Sequence, residues 1–345
     1  MTSVNHQPEM SADVARPPLS DLLACPRDKG DLHVKGDSLV CEQGHKYAVI
    51  EGIPILLVSE AEQTHIEGKR ALSLAETRDA SLLPQIEVKQ GEIDRFVKNA
   101  IGATNGILYK HLVGTLTEYP IPRLRLPQGN GQLFLEIGCN WGRWCIAAAR
   151  LGYRPIGIDP SLKSIRAAIR VSRQLGIDAS YIVADGRFLP FSDRSFEQIF
   201  SYSVLQHLSK ENARATLSEI RRVLRVGAHA QVQMPNVFGV RCLYHQMRRG
   251  FREGRDFDVR YWRPAELLSA FTQAIGPSEL SVDGYFSLNV QPTDLLLLRA
   301  RHRGIVHVSE ALRRLSTKIS ILTQVADSLY VNAQRAEDQL GRSGL

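Results

Sequence analysis

The residues best suited to hold a ligand lie in Leu133–Arg143, LFLEIGCNWGR, where Glu136 is followed by Gly138, Asn140 and Gly142 at alternate positions. An apolar run that opens through such a turn into a helix, expected at Trp144–Arg150, offers backbone N–H groups and a helix N-terminus to a ligand. The small residues let that ligand touch the main chain, and Glu136 adds a carboxylate at the strand end. Asn140 stands where a third glycine is expected. Asparagine is the non-glycine residue that best tolerates positive φ, so the turn can survive it. Asp159 closes a second apolar run, RPIGID, about 20 residues on, where doubly wound folds place an acid for both ribose hydroxyls. Asp185, followed by Gly186, closes a third, Ala179–Ala184. Each acid alone reads equally as the cap of the next helix. Three at successive strand ends, beside the glycine loop, read as ligand binding.

A second constellation sits in Leu22–Leu57, where Cys25, Asp28, Cys41 and His45 follow the pattern Cys-x2-Asp-x12-Cys-x3-His. Two ligand knuckles separated by a hairpin are how a small ribbon clasps zinc, which takes four tetrahedral N, S or O ligands. Asp28 is the less common member of that set. About 35 residues bury little core, so a metal would supply the missing stability. The other reading is a ribbon that has lost its metal and leans on the larger domain. The remaining cysteines, Cys139, Cys145 and Cys242, make the total odd, which argues against a disulfide framework.

The elements that must position these residues follow from periodicity. Strands are expected at Arg154–Asp159, Ala179–Ala184, Phe196–Tyr202 and His229–Met234. Helices are expected at Leu162–Leu175, around Val204–Leu208, and at Ala213–Val226. The fold class is therefore α/β: a Rossmann-like, doubly wound, mainly parallel sheet with a small N-terminal ribbon and a helical C-terminal extension. All three acids would then face one rim.

Over roughly Gly131–Phe286 the chain resembles the class I S-adenosylmethionine-dependent methyltransferases. LEIGCNWG matches their glycine motif and GIDPS their ribose-binding acid. VADGRFLPFSDRSFEQIFSYSVLQHL matches their third and fourth strand motifs, and EIRRVLRVGA the helix-turn before the fifth strand. Two departures, Asn140 and Val226–Ala228 in place of proline-glycine-glycine, bear on turn geometry. The resemblance implies S-adenosyl-L-methionine as cofactor, with Gly138, Asn140 and Gly142 against its methionine portion and Asp159 on the ribose. It also implies Asp185 at the adenine amino group, with Gly186 and Arg187 near the ring; Glu136 and Ser201 complete the expected cofactor set. The ribbon resembles the module in front of bacterial ribosomal-RNA guanine methyltransferases, and equally the short cysteine ribbons of other methyltransferases.

The domain plan expected from this is a disordered tail (1–19), a zinc-ribbon-like module (20–60), a helical linker or lid (61–129), a methyltransferase domain (130–290) and C-terminal helices (291–345). In the linker, Ile86–Ala100 has an amphipathic face and Thr104–Tyr119 reads as another helix, with Tyr109 either a lid contact or core. Pro120, Pro122 and Pro127 mark an extended connection. Residues 236–263 form an insertion whose stretch Gly239–Arg263 has seven arginines against three acids, interleaved with Tyr244, Phe251, Phe257, Tyr261 and Trp262. Arginine forks with aromatic plates suit a phosphate-bearing, sugar or nucleic-acid substrate, but also describe a solvated basic helix. His207 and His245 are the candidate general bases. Near the C-terminus, Leu312, Leu315, Ile319 and Leu322 form one stripe, and Gln324–Gln339 reads as a further helix.

The chain has 345 residues, 43% of them hydrophobic, and a formal charge of +7. No run of about 18 apolar residues and no hydrophobic leader is present, so a cytoplasmic enzyme is expected. The leading reading is methyl transfer, at oxygen, to a small-molecule or glycan-type anionic acceptor. A ribosomal- or transfer-RNA methyltransferase, gripping RNA through ribbon and arginines, is the rival reading. A non-catalytic binding partner is the third.

Overall fold

The computed structural model describes residues 18–78, 83, 86, 88–89, 91–286 and 292–338. All but the end of the expected tail lies outside them. Five strands run parallel: β5 (Leu133–Ile137), β6 (Arg154–Asp159), β7 (Ser180–Ala184), β8 (Phe196–Ser201) and β9 (Leu224–Pro235). Four strands precede them in the chain: β1 (His33–Lys35), β2 (Ser38–Val40), β3 (Lys46–Ile50) and β4 (Ile53–Leu56). Two follow, β10 (Ser278–Gly284) and β11 (Ser328–Gln334). All join one sheet in the order β1-β2-β3-β4-β7-β6-β5-β8-β9-β11-β10.

Strand alternation divides the core between two faces. Leu133, Leu135 and Ile137 of β5 pack with Leu217 and Ile220 of α6 (Lys210–Val223) and Leu267 and Phe271 of α8 (Pro264–Ala274). Phe134, between them, packs with Trp144 of α4 (Arg143–Arg150) on the other face. That second face also carries α5 (Leu162–Gln174) and α2 (Ile66–Thr77), through Ile165, Ala168 and Ala71. Ser161, Ser209 and Asp94 accept N–H bonds at the starts of α5, α6 and α3 (Arg95–Thr104), the ordinary reason such residues begin helices. Among the described residues, no helix is long and apolar enough to cross a membrane.

Four expectations need correction. The ribbon is not self-contained. Its last strand, β4, pairs in parallel with β7 at Ile55–Val183 and Leu56–Ala184. Leu22, from the one-turn α1 (Leu19–Leu22), and Leu23, Leu39 and Tyr47 enter the core that holds Phe191 and Phe196. A ribbon this small gains more by extending an open sheet edge than by standing alone.

The C-terminal region is not wholly helical. It begins with a 3-10 turn (Pro292–Leu297), α9 (Ala300–Ser316) and the short α10 (Ile321–Val325). The stretch expected as helix Gln324–Gln339 then supplies β11, which lies antiparallel between β9 and β10. Leu329, Val331 and Ala333 point into core clusters and Tyr330 to the opposite face, a period of two that outweighs helix-compatible composition. A boundary at 290 therefore cuts through the sheet.

The linker differs as well. α3 begins at Arg95, where Asp94 caps it, and Ile107–Leu112 is a 3-10 turn in place of a continued helix. Val204–Leu208 likewise holds only a 3-10 turn, Leu205–His207.

Candidate cofactor and metal sites

The loop leaving β5 has the expected left-handed turns, with φ of 78° at Gly138, 47° at Asn140 and 81° at Gly142. Asn140 does adopt the conformation for which glycine is usual. A Cβ on Gly138 would lie 2.3 Å from a Val204 methyl, and one on Gly142 2.5 Å from the Tyr181 hydroxyl. The glycines thus let the loop press against the turn after β8 and against β7.

The second acid is aimed at this loop. Asp159 accepts the Asn140 N–H at 3.0 Å and the Ser161 N–H at 2.9 Å, and burial raises its pKa to about 6. A carboxylate has lone pairs to spare for hydroxyl donors. Asp185 is held by its neighbour Arg187, through the backbone N–H at 2.9 Å and the guanidinium at 2.7 Å. Arg187 also donates to the Glu62 carbonyl at 2.6 Å, tying this rim to the segment that leaves β4. Gly186 packs against Ile137.

Two residues of the expected cofactor set have other work. Glu136 is 1% exposed and accepts the Cys145 N–H at 2.8 Å, capping α4 from beneath; burial raises its pKa to about 8. Ser201 is fully buried and donates to the Ile137 carbonyl at 3.0 Å, fastening β8 to β5.

The two candidate bases part company. His207 has its Nδ1 2.7 Å from the Phe257 carbonyl, which makes Nδ1 the protonated nitrogen. The Gln206 amide is 3.2 Å from Nε2, and the ring stacks on Phe257 at 3.9 Å. Burial lowers the His207 pKa, so the ring stays neutral and Nε2 keeps its lone pair. His245 instead lies on the exposed side of α7 (Val240–Arg248), its ring edge on Tyr244. Among the described residues no hydrogen bond or ion pair ties it to the loop or the acids. Tyr109 is fully buried, packs with Trp141 of the loop and donates to Asp294, which is core packing.

Arg143 and His65 were not singled out by type and spacing. Arg143 opens α4, an unfavourable place for a cation, and that was the available signal. It is 6% exposed, lies 5.4 Å from the Trp144 ring and 5.7 Å from Tyr202, and one terminal nitrogen has no hydrogen-bond partner. No carboxylate oxygen among the described residues lies within ion-pair distance of it. His65, leading into α2, meets Phe257 edge-on at 4.8 Å; its pKa is lowered by burial.

At the other end, the ligand atoms of Cys25, Asp28, Cys41 and His45 all lie within 4.8 Å of one another. Asp28 Oδ2 is 2.8 Å from His45 Nδ1 and 3.2 Å from Cys41 Sγ. The two sulfurs are 3.5 and 3.4 Å from that nitrogen. Such separations fit the edges of a tetrahedron around zinc with bonds of about 2.0–2.3 Å. The Gly30 N–H, with help from the Cys41 thiol, holds Asp28 well below the ordinary carboxylate range, as a metal ligand must be.

Comparison with known proteins agrees with the fold. Residues 134–227 match a family model described as a methyltransferase domain. The ubiquinone biosynthesis O-methyltransferase of Brucella ovis is 26% identical over 157 residues, 42% of this chain and 59% of that protein. The O-methyltransferase resE of Aspergillus sclerotiorum is 32% identical over 112 residues, 31% of this chain and 41% of its own. The chain thus spans less than two thirds of either relative. A solved S-adenosylmethionine-dependent methyltransferase from Methanosarcina mazei superposes with a TM-score of 0.44 at 19% identity, covering 65% of this chain and all of that one. The chain carries a class I S-adenosylmethionine-dependent methyltransferase domain.

Proposed function

We propose that this protein transfers a methyl group from S-adenosyl-L-methionine to an oxygen of a small or glycan-type acceptor bearing negative charge. The observation that carries the reading is the convergence of the Gly138–Gly142 loop with Asp159, whose carboxylate is hydrogen-bonded to the loop itself. The bound cofactor would supply an electrophilic methyl on a sulfonium. What the protein must add is alignment, exclusion of water and, for a hydroxyl acceptor, removal of a proton.

Each requirement has a candidate. The loop and Asp159 hold the adenosyl portion, and Asp185 with Arg187 borders the adenine end. Trp141 and the segment from Leu57 to His65 cover the rim. His207, neutral and fixed through Nδ1, would take the acceptor proton at Nε2 once Gln206 yields that position. Arg143 supports the negative charge of the ligand: one terminal nitrogen of this buried guanidinium has no hydrogen-bond partner, and an anion would supply one. The names of the Brucella and Aspergillus relatives support oxygen as the acceptor atom. We further infer that the ribbon holds zinc through Cys25, Asp28, Cys41 and His45.

Calorimetric titration with S-adenosylhomocysteine tests the central claim. Wild-type protein should bind it, and Asp159→Asn should bind at least about tenfold more weakly, roughly 1.4 kcal/mol. Equal binding by both proteins would remove the basis of the assignment. Binding with unchanged turnover in His207→Ala would keep the class and discard the base. The RNA reading rests on the exposed arginines of the insertion; protein that purifies free of nucleic acid at low salt speaks against it.

A further inference from the structure

The insertion between β9 and α8 reverses the usual helical pattern. α7 turns its polar Gln246 inward, where the side chain donates to the Val237 carbonyl at 2.8 Å. Cys242 lies beside it, with its N–H on Asp327 at 3.0 Å. The opposite face is apolar and open, with Val240 58%, Leu243 42%, Tyr244 52% and Met247 60% exposed. At 100° per residue these four fall in a stripe about 100° wide, the width that a soluble helix normally turns to its core. Phe238 and Phe251, just before and after the helix, are 51% and 66% exposed and extend the patch. Arg241 and Arg248 line one flank of the stripe, and Arg252 and Arg255 follow it. None of these four guanidinium groups has a carboxylate within ion-pair distance among the described residues.

We propose that this face docks on an anionic lipid surface. Val240, Leu243, Tyr244, Met247 and Phe251 would enter the boundary between headgroups and acyl chains while the arginines meet lipid phosphates. The combination selects that occupant. RNA supplies negative charge but no apolar depth for Val240, Leu243 and Met247. A second copy of the chain, facing this one through the same patch, would set arginines against arginines. An anionic bilayer offers apolar depth and negative charge together. The far end of the same insertion reaches the candidate site, where Phe257 stacks on His207 and Arg260 donates to the His207 carbonyl at 2.6 Å. A docked insertion would place that site beside the membrane, within reach of an acceptor held there.

Sedimentation of the full chain with phosphatidylglycerol–phosphatidylcholine vesicles, and with pure phosphatidylcholine vesicles, tests this. The protein should pellet with the anionic vesicles, bind the neutral ones at least about tenfold more weakly and be released by salt. Leu243→Asp combined with Met247→Asp should abolish pelleting but leave the melting temperature unchanged, because both side chains already face solvent. Arg248→Glu with Arg252→Glu should weaken binding to anionic vesicles while the stripe stays intact. Wild-type protein that stays in solution with anionic vesicles overturns the proposal, as does a double-aspartate variant that pellets like wild type. A dimer that the two aspartates dissociate would assign the stripe to a second copy, and RNA binding without vesicle binding would assign the arginines to nucleic acid; either overturns it. Vesicle binding is read independently of methyl transfer, so the two proposals fail separately.

Discussion

The two flanks of the parallel sheet are completed by strands from the N-terminal and C-terminal regions, and on the proposed function they border opposite ends of the site. On one side β4 meets β7 only through Ile55–Val183 and Leu56–Ala184. The segment leaving it then crosses the rim, where the Glu62 carbonyl holds Arg187 and Glu67 pairs with Lys163 at 2.8 Å. On the proposed function that is the adenosine side, beside Asp185 and Asp159. On the other side β11 runs along β9 from Ser328–Pro235 to Gln334–His229. There Ser328 and Tyr202 each donate to Asp283 at 2.8 Å, and the Gln233 amide donates to Ser328 at 2.7 Å. Gln233 in turn accepts the Ser203 N–H at 2.9 Å, which holds the turn after β8 with Ser203 at a φ of 59°. That turn carries Val204 onto Gly138 and His207 into place. On the proposed function the ribbon is an addition that borders the cofactor rim, and the C-terminal strand is part of the core and borders the acceptor rim.

Substitutions at matched positions can break this contrast. Val331→Asp, a charge at a fully buried position of β11, should leave no folded protein in circular dichroism. Ile55→Ala on β4 should cost about 2–5 kcal/mol in denaturant unfolding and leave a folded chain. Equal losses would show that the flanks are equally integral. A smaller effect separates the two rims. Arg187→Gln should weaken S-adenosylhomocysteine binding about tenfold, because it frees both Asp185 and Glu62. Ser328→Ala should leave that affinity unchanged and lower turnover, at a stability cost of about 1–2 kcal/mol. If Ser328→Ala changes cofactor affinity instead, the division of labour is wrong.

The ribbon gives a further, milder test. Chelation at neutral pH, or Cys41→Ser, should lower the melting temperature and release stoichiometric zinc, measured with a colorimetric indicator. The S-adenosylhomocysteine site should survive, weakened, since the β4–β7 pairing does not pass through the metal ligands. The smallest expected effect concerns Glu136. Its folded pKa of about 8 exceeds the ordinary 4.5, so the native state holds a proton that the unfolded chain has lost over that interval. Its contribution to stability is therefore full below pH 4.5 and declines as pH rises towards 8. Glu136→Gln keeps an acceptor for the Cys145 N–H, and its melting temperature should vary less with pH over that range. A variant as pH-dependent as wild type would assign the slope to other groups.

The parallel part of the fold was legible because acids stand at the ends of β6 and β7 (Asp159, Asp185) and serines cap the starts of α5 and α6. Asn140 was legible for the same local reason: side-chain chemistry alone settles which non-glycine residue accepts a left-handed turn. The four ribbon residues declared themselves by spacing, since two knuckles on a hairpin leave little choice of partner. Roles that depend on what lies across the molecule were not legible. Glu136 and Ser201 sit where ligand residues sit, yet buried N–H and carbonyl groups of α4 and β5 claim them. Arg143 was hidden inside the motif, because only its surroundings reveal that the guanidinium is buried with one nitrogen lacking a hydrogen-bond partner.

The amino-acid order by itself determined the class of domain, the turn that opens it and the cluster of Cys25, Asp28, Cys41 and His45, since each depends on near neighbours in the chain. Tertiary structure alone decided that residues 33–56 and 328–334 enter the same sheet, that His207 is fixed by the Phe257 carbonyl while His245 lies exposed on α7, and that α7 shows its apolar side to solvent. Those outcomes depend on which surfaces remain uncovered after the rest has packed, and no local pattern carries that information.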